Sequence, residues 1–199
     1  MPKLELTEKE IVEHTENWIR NLVLEHNLCP FAHQPFHNGL IRFAVSWATV
    51  AEDIVDDLIN ELLDLNKCDA KAIETTLLIT PYCFSQFEQY NAFLDVADAI
   101  NEQLELTGIL QIASFHPDYQ FEGLPSNDVK NYTNRSIYPM FHLIREKSIS
   151  KTQNAHIDID SIPNKNMELL DQIGLETIQA QRTLCTQSEK KEKPSNKPK

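Results

Sequence analysis

At 199 residues with a net charge of −12, the chain is long enough for one domain that folds without disulfides or a structural metal. Its last eleven residues, EKKEKPSNKPK, are Lys-rich. The body is therefore more acidic than the total, which argues against nucleic acid as the main partner because phosphate needs a basic face.

No run approaches the roughly 18 apolar residues of a membrane span, and MPKLELTEKE lacks the apolar core of a signal peptide. Cys29, Cys68, Cys83 and Cys185 form no CxxC. They read as reduced thiols of a cytoplasmic protein.

In chain order, Thr7 and Glu10 form a capping box that opens a helix running to His26–Asn27. LCPFAHQPFHNG reads as a loop on its prolines and glycine. Leu40–Val45 is a short apolar strand. Thr49 and Glu52 repeat the capping box before a helix with Ile54, Val55, Leu58, Leu62 and Leu65 on one face. Its acidic face reads as a solvated surface.

Ile73–Thr80 is the second strand. Ser85 and Glu88 cap a third helix, ending at Gly108 as a C′ residue, and Ile109–Phe115 is the third strand. After a long loop, Met140, Leu143, Ile144 and Lys147 predict a helix. Ile162–Ile173 predicts another, and a last one reaches Cys185.

Helical crossovers between strands imply parallel pairing. The fold class is therefore α/β: a small, mostly parallel sheet of three or four strands, covered by helices, with a long ordered loop after the third strand. A fourth strand has a place in DYQFEG. An α+β, ferredoxin-like arrangement is the alternative. Residues 1–174 form the domain, 175–188 a C-terminal helix and 189–199 a disordered Lys-rich tail.

The stretch Ala113–Pro139 has no period of its own, and structureless connections longer than about 12–15 residues are functional or disordered. Phe115, Tyr119, Phe121, Tyr132 and Tyr138 argue for order. Burying rings does not offset the entropy of fixing so many backbone units. Its Asp, Asn, Ser and Thr residues must therefore bond the backbone. The loop also starts at the carboxyl end of a strand, where open parallel sheets bind ligands.

Within it, His116-Pro117-Asp118 is either an acid–base or metal pair, with Asp118 orienting the imidazole, or a turn whose Asp caps backbone N–H groups. Arg135 is either an anion clamp or a loop brace. Cys29 is a nucleophile if His116 reaches it, and otherwise a buried hydrophobe. Its position before the first strand tends to place it at the opposite edge of the sheet. The spacing of Cys29, His33 and His37, with His26 before them, falls short of a zinc pattern.

Arg42 inside an apolar strand requires an anionic partner, either a bound anion or a carboxylate such as Glu74. His142, Arg145 and Glu146 read as neighbours on one helix face.

LCPFA, ETTLLITP, ASFHPDYQF, NYTNRSIYPM and HLIRE, between about Glu13 and Gly174, resemble a bacterial family catalogued as domain of unknown function 1415. The resemblance implies one intact domain and carries no activity with it. Its typical positions here are Cys29 to Ala32, His116 to Tyr119, Asn131, Tyr132, Asn134 to Ser136, Pro139 and Arg145. His33, His37, Cys83 and the tail fall outside its pattern.

The expected function is an enzyme or small-molecule binder for a small anionic ligand. His116, Asp118 and Cys29 are the catalytic candidates. Arg135, Asn131, Asn134, Tyr119, Ser136, Arg42 and Arg145 are the binding candidates, and His116, Asp118 and His142 are the weak metal candidates. No cofactor is indicated. One alternative is an assembly protein anchored by Tyr119, Phe121, Tyr132 and Tyr138; another is a metal-dependent enzyme.

Overall fold

The computed structural model describes residues 6–148 and 161–187. The expected tail at 189–199 and the extreme N-terminus lie outside them. Thr7 opens α1 (Glu8–Trp18). Its hydroxyl accepts from Glu10 N at 3.3 Å, while Glu10 Oε2 accepts from Thr7 N at 2.8 Å. The helix widens into a π-helical turn, Ile19–Leu24, and Ile19, Leu22 and Val23 are buried there. LCPFAHQPFHNG is not all loop, because His33–His37 forms the short helix α2.

The central elements follow as β1 (Ile41–Val45), α3 (Ala51–Lys67), β2 (Thr75–Ile79), α4 (Phe87–Gln103) and β3 (Leu110–Phe115). A 3-10 turn (Val129–Thr133) interrupts the loop after β3. Met140–Arg145 is then a strand, β4, and not the expected helix. Helices α5 (Ile162–Ile173) and α6 (Leu175–Leu184) close the described chain.

The sheet order is β1-β2-β4-β3. β1 and β2 are parallel, whereas β4 runs antiparallel to both its neighbours. The sheet is therefore mixed and mostly antiparallel in its pairing. The expected parallel relation survives in direction only: β1, β2 and β3 point the same way, and β4 separates β2 from β3. DYQFEG forms no strand; the fourth strand is β4.

Helical spacing was a misleading guide at Met140–Arg145, because a short apolar run bounded by proline has no period that separates strand from helix. Alternation resolves it. Phe141 and Leu143 join a core with α3 and α4, while Met140 joins the opposite core with α1, α5 and α6. Leu78 and Leu77 of β2 divide in the same way. A sheet covered on both faces needs apolar residues at consecutive positions of its inner strands.

Two other helix ends differ from expectation. Val50 and Gln86, not Thr49 and Ser85, precede α3 and α4, and neither helix has a side-chain cap. Ser46 instead ties down the approach to α3, accepting from Ala48 N at 3.1 Å and donating to Asp57 at 2.5 Å. α4 ends through Glu105, whose φ of 57° takes the left-handed place expected of Gly108.

Candidate functional site

The loop after β3 is ordered by the bonds its composition demands. Asn131 accepts from Phe121 N at 3.0 Å and donates to Pro125 O at 2.8 Å. Asn134 Nδ2 donates to Ser114 O, and Ser136 Oγ donates to Tyr138 O. Arg135 is buried; its Nε and Nη2 donate to Tyr119 O at 2.9 Å and Ser126 O at 2.6 Å. Its guanidinium carbon lies 4.9 Å from the centre of the Tyr132 ring.

His116 is buried at the carboxyl end of β3, with its Nε2 2.8 Å from Phe84 O. A carbonyl only accepts, so Nε2 carries the proton, leaving Nδ1 to accept from Asp118 N at 3.0 Å. Burial pushes its pKa down, against the hydrogen bond to Phe84 and the charge of Asp118. The imidazole is thus a neutral brace with both nitrogens engaged by backbone, and the Asp118 carboxylate is exposed.

Beside them is a cavity of about 360 Å³, lined by Tyr82–Ser85, His116–Asp118 and Ile137–Pro139, among others. Tyr138 at its edge is bound to His14 Nδ1 at 2.7 Å, and burial pushes its phenol up to about 12.

The loop aromatics are engaged within the chain. Tyr132 is buried, and Tyr119 packs 5.0 Å from both Phe87 and Phe121. Arg42 has its internal carboxylate, but the partner is Glu61 of α3, at 2.7 and 2.9 Å, and not Glu74. Arg145 lies on a strand, so His142, Arg145 and Glu146 share no helix face. The two protons of Arg145 Nη2 serve Leu65 O and Cys68 O, with Ile73 O sharing one of them at 3.2 Å, which ties the end of α3 to the lead-in of β2.

A second cavity, of about 400 Å³, lies at the other end of the sheet. Ile41, Thr75, Gln111 and Ile144 floor it; Cys29–Ala32 and Pro35 wall it, with Glu74 and Ser148 also on its lining. Register explains the floor: Ile41 pairs with Thr75, Thr75 with Ile144, and Ile144 with Gln111. Alternation points these side chains, with His142, to one face. The Cys29 loop is held over them by α5, whose Asn166 Nδ2 donates to Leu28 O at 2.7 Å.

His142 is the polar centre of this chamber. Thr75 Oγ1 donates its single proton to Leu143 O at 2.6 Å, so its 2.7 Å contact with His142 Nε2 uses the ring's proton. Nδ1 is then the basic nitrogen, and it has no hydrogen-bond partner among the described residues. Burial alone lowers the ring's pKa to about 4. Cys29 is also protonated: burial raises its thiol pKa, opposed by hydrogen bonds from the backbone N–H groups of Phe31 and Ala32.

Cys29 therefore shares a cavity with His142 and lies at the opposite end of the sheet from His116. Among the described residues, no three His, Cys, Asp or Glu side chains are placed to hold a metal. The pairing of Thr75 with His142 is not evident from the sequence. The available signal is a threonine and a histidine within mainly apolar strands, TTLLI and MFHLIR.

Fold and site together define a mixed α/β protein with an open four-stranded sheet and a thiol–imidazole chamber beneath its amino end. No helix among the described residues is long and apolar enough to cross a membrane. The chain belongs to the family described as protein of unknown function, DUF1415, whose model matches residues 10–180. No curated protein and no solved structure matches it.

Proposed function

We propose that the chain binds a small, largely apolar, uncharged molecule in the chamber of Cys29 and His142. The observation that carries this reading is His142 itself, a neutral imidazole pinned through Thr75 with Nδ1 left open beside a roughly 400 Å³ space. Small-molecule sites are largely apolar pockets of about 300–1,000 Å³ with a few placed polar groups. Here Pro30, Phe31, Ala32, Pro35, Ile41 and Ile144 supply apolar wall, and Cys29, Gln111 and His142 supply polar contacts.

A neutral ligand is favoured over the anionic one expected from the loop because the groups proposed to clamp an anion are already bonded. Arg135 holds two loop carbonyls, Arg42 is paired with Glu61, and the Nη2 of Arg145 is engaged by carbonyls of the α3–β2 connection, leaving its buried Nε without a partner among the described residues. The chamber suits a carrier or a non-covalent site: burial keeps the Cys29 thiol protonated, so it serves as a polar contact and not as a nucleophile.

Titrating isotope-labelled full-length protein with a library of neutral apolar fragments tests this. Binders should shift the amide signals of Cys29, Gln111 and Ile144, and His142→Gln should weaken them by about tenfold. The reading fails if fragments leave the chamber signals still at millimolar concentration, or shift only those of Tyr82, Ser85 and Tyr138.

A further inference from the structure

Large apolar side chains are exposed together where β1 and β2 end. Trp47 is 51% exposed, Val50 48% and Tyr82 37%. Trp47 and Tyr82 stack, with ring centres 5.6 Å apart and planes 22° from parallel. Tyr82 is fixed in addition by its hydroxyl, which donates to Leu6 O at 3.3 Å. Such a pair, held rigid and left open to solvent, loses little entropy on contact with a partner.

Its surroundings are acidic. Val50 immediately precedes α3, whose first turn carries Glu52 and Asp53, and Leu6 precedes α1, whose first turn carries Glu8 and Glu10. Lys9 is the single cation in those two turns. The carboxylates act on this neighbourhood: the charges of Glu52 and Asp53 reach the thiol of Cys83, next to Tyr82, and that of Glu10 reaches Tyr138. Glu10 is kept ionised by its bonds to Thr7.

We propose that the Trp47–Tyr82 stack is a docking platform for a partner protein segment bearing arginine and aliphatic residues. Guanidinium groups pack on aromatic faces and pair with carboxylates, and an acidic rim steers a basic segment in. The same rim repels phosphate-bearing partners, both nucleic acid and anionic lipid. This surface is separate from the chamber of Cys29 and His142 and does not depend on a ligand there.

Fluorescence anisotropy of a dye-labelled peptide of alternating Arg and Leu, titrated with the full chain, tests the proposal. A Glu–Leu peptide of the same length serves as the control. Saturable binding of the Arg peptide alone is expected, weakened by about tenfold in Trp47→Ala and in Tyr82→Ala. The double change Glu52→Gln/Asp53→Asn should weaken it several-fold, as should raising salt from about 50 to about 300 mM. Both aromatic variants should melt near the parent, since each ring lies largely outside the core; if one does not, the other decides.

Equal binding of both peptides, no saturable binding, or unchanged affinity in the aromatic variants overturns the proposal. Two further results replace it. If residues 188–199 occupy the platform in cis, their removal raises peptide affinity by about tenfold. If a second copy does, sedimentation shows concentration-dependent dimers that Trp47→Ala abolishes.

Discussion

His142 is the residue on which pH should act most clearly. Burial lowers its pKa to about 4 in the folded chain, from about 6.5 when unfolded. As pH falls, the unfolded chain takes up the proton first, so the contribution of the half-buried neutral ring is complete above about 6.5 and is lost progressively toward 4. The gap corresponds to roughly 3–4 kcal/mol at most. His116 and His14 are shifted the same way by burial, so each also loses stabilisation as pH falls below the ordinary imidazole range. His142→Gln keeps an N–H donor for Thr75 but has no charge to gain. Urea midpoints measured from about pH 7 to about pH 4 should therefore fall less steeply for this variant; an unchanged slope would remove His142 from the account.

Arg135 poses a sharper choice at the same scale. A binding residue at the edge of a pocket can be truncated with little change in Tm, whereas Arg135 is buried and holds two loop carbonyls. Arg135→Ala leaves both without their donor and should cost about 2–4 kcal/mol. Thermal melts and limited proteolysis between Pro117 and Ser126 check this. A variant that melts with the parent and resists cleavage would return Arg135 to the pool of ligand-binding candidates.

Among the elements, the three capping boxes in the sequence are equivalent on paper and different in space. Thr7 alone caps a helix, so Thr7→Ala should cost about 1 kcal/mol. Thr49→Ala and Ser85→Ala should fall within about 0.5 kcal/mol of the parent, because both residues are exposed and neither caps. Chemical denaturation of the three variants checks the ordering. Helix faces, by contrast, were legible: Ile54, Leu58, Leu62 and Leu65 are all buried, as their spacing requires. Sheet pairing was not. MFHLIR is too short to show a period, and its partner strands lie more than twenty residues away in sequence, so no local rule places it between β2 and β3.

Viewed whole, the molecule has a concavity at each end of its sheet, and the sequence pointed to only one of this pair. The loop after β3 stood out because its length and composition are local properties. The chamber did not, since Cys29, Thr75, Gln111 and His142 come from four separated stretches and meet only through strand register. Even the placement of Cys29 away from His116 followed from element order, whereas its meeting with His142 required β4 to be a strand.

That strand also governs the order in which the chain can become a protein. β4 is synthesised after β1, β2 and β3, yet it is the only bridge between β2 and β3. Until Arg145 has left the ribosome, the nascent polypeptide carries β3 with no neighbour and β2 with one open side. Both are rows of bare amides next to apolar side chains, the kind of surface that recruits other chains. The sheet can therefore be completed only once this inner strand has emerged to pair with both neighbours.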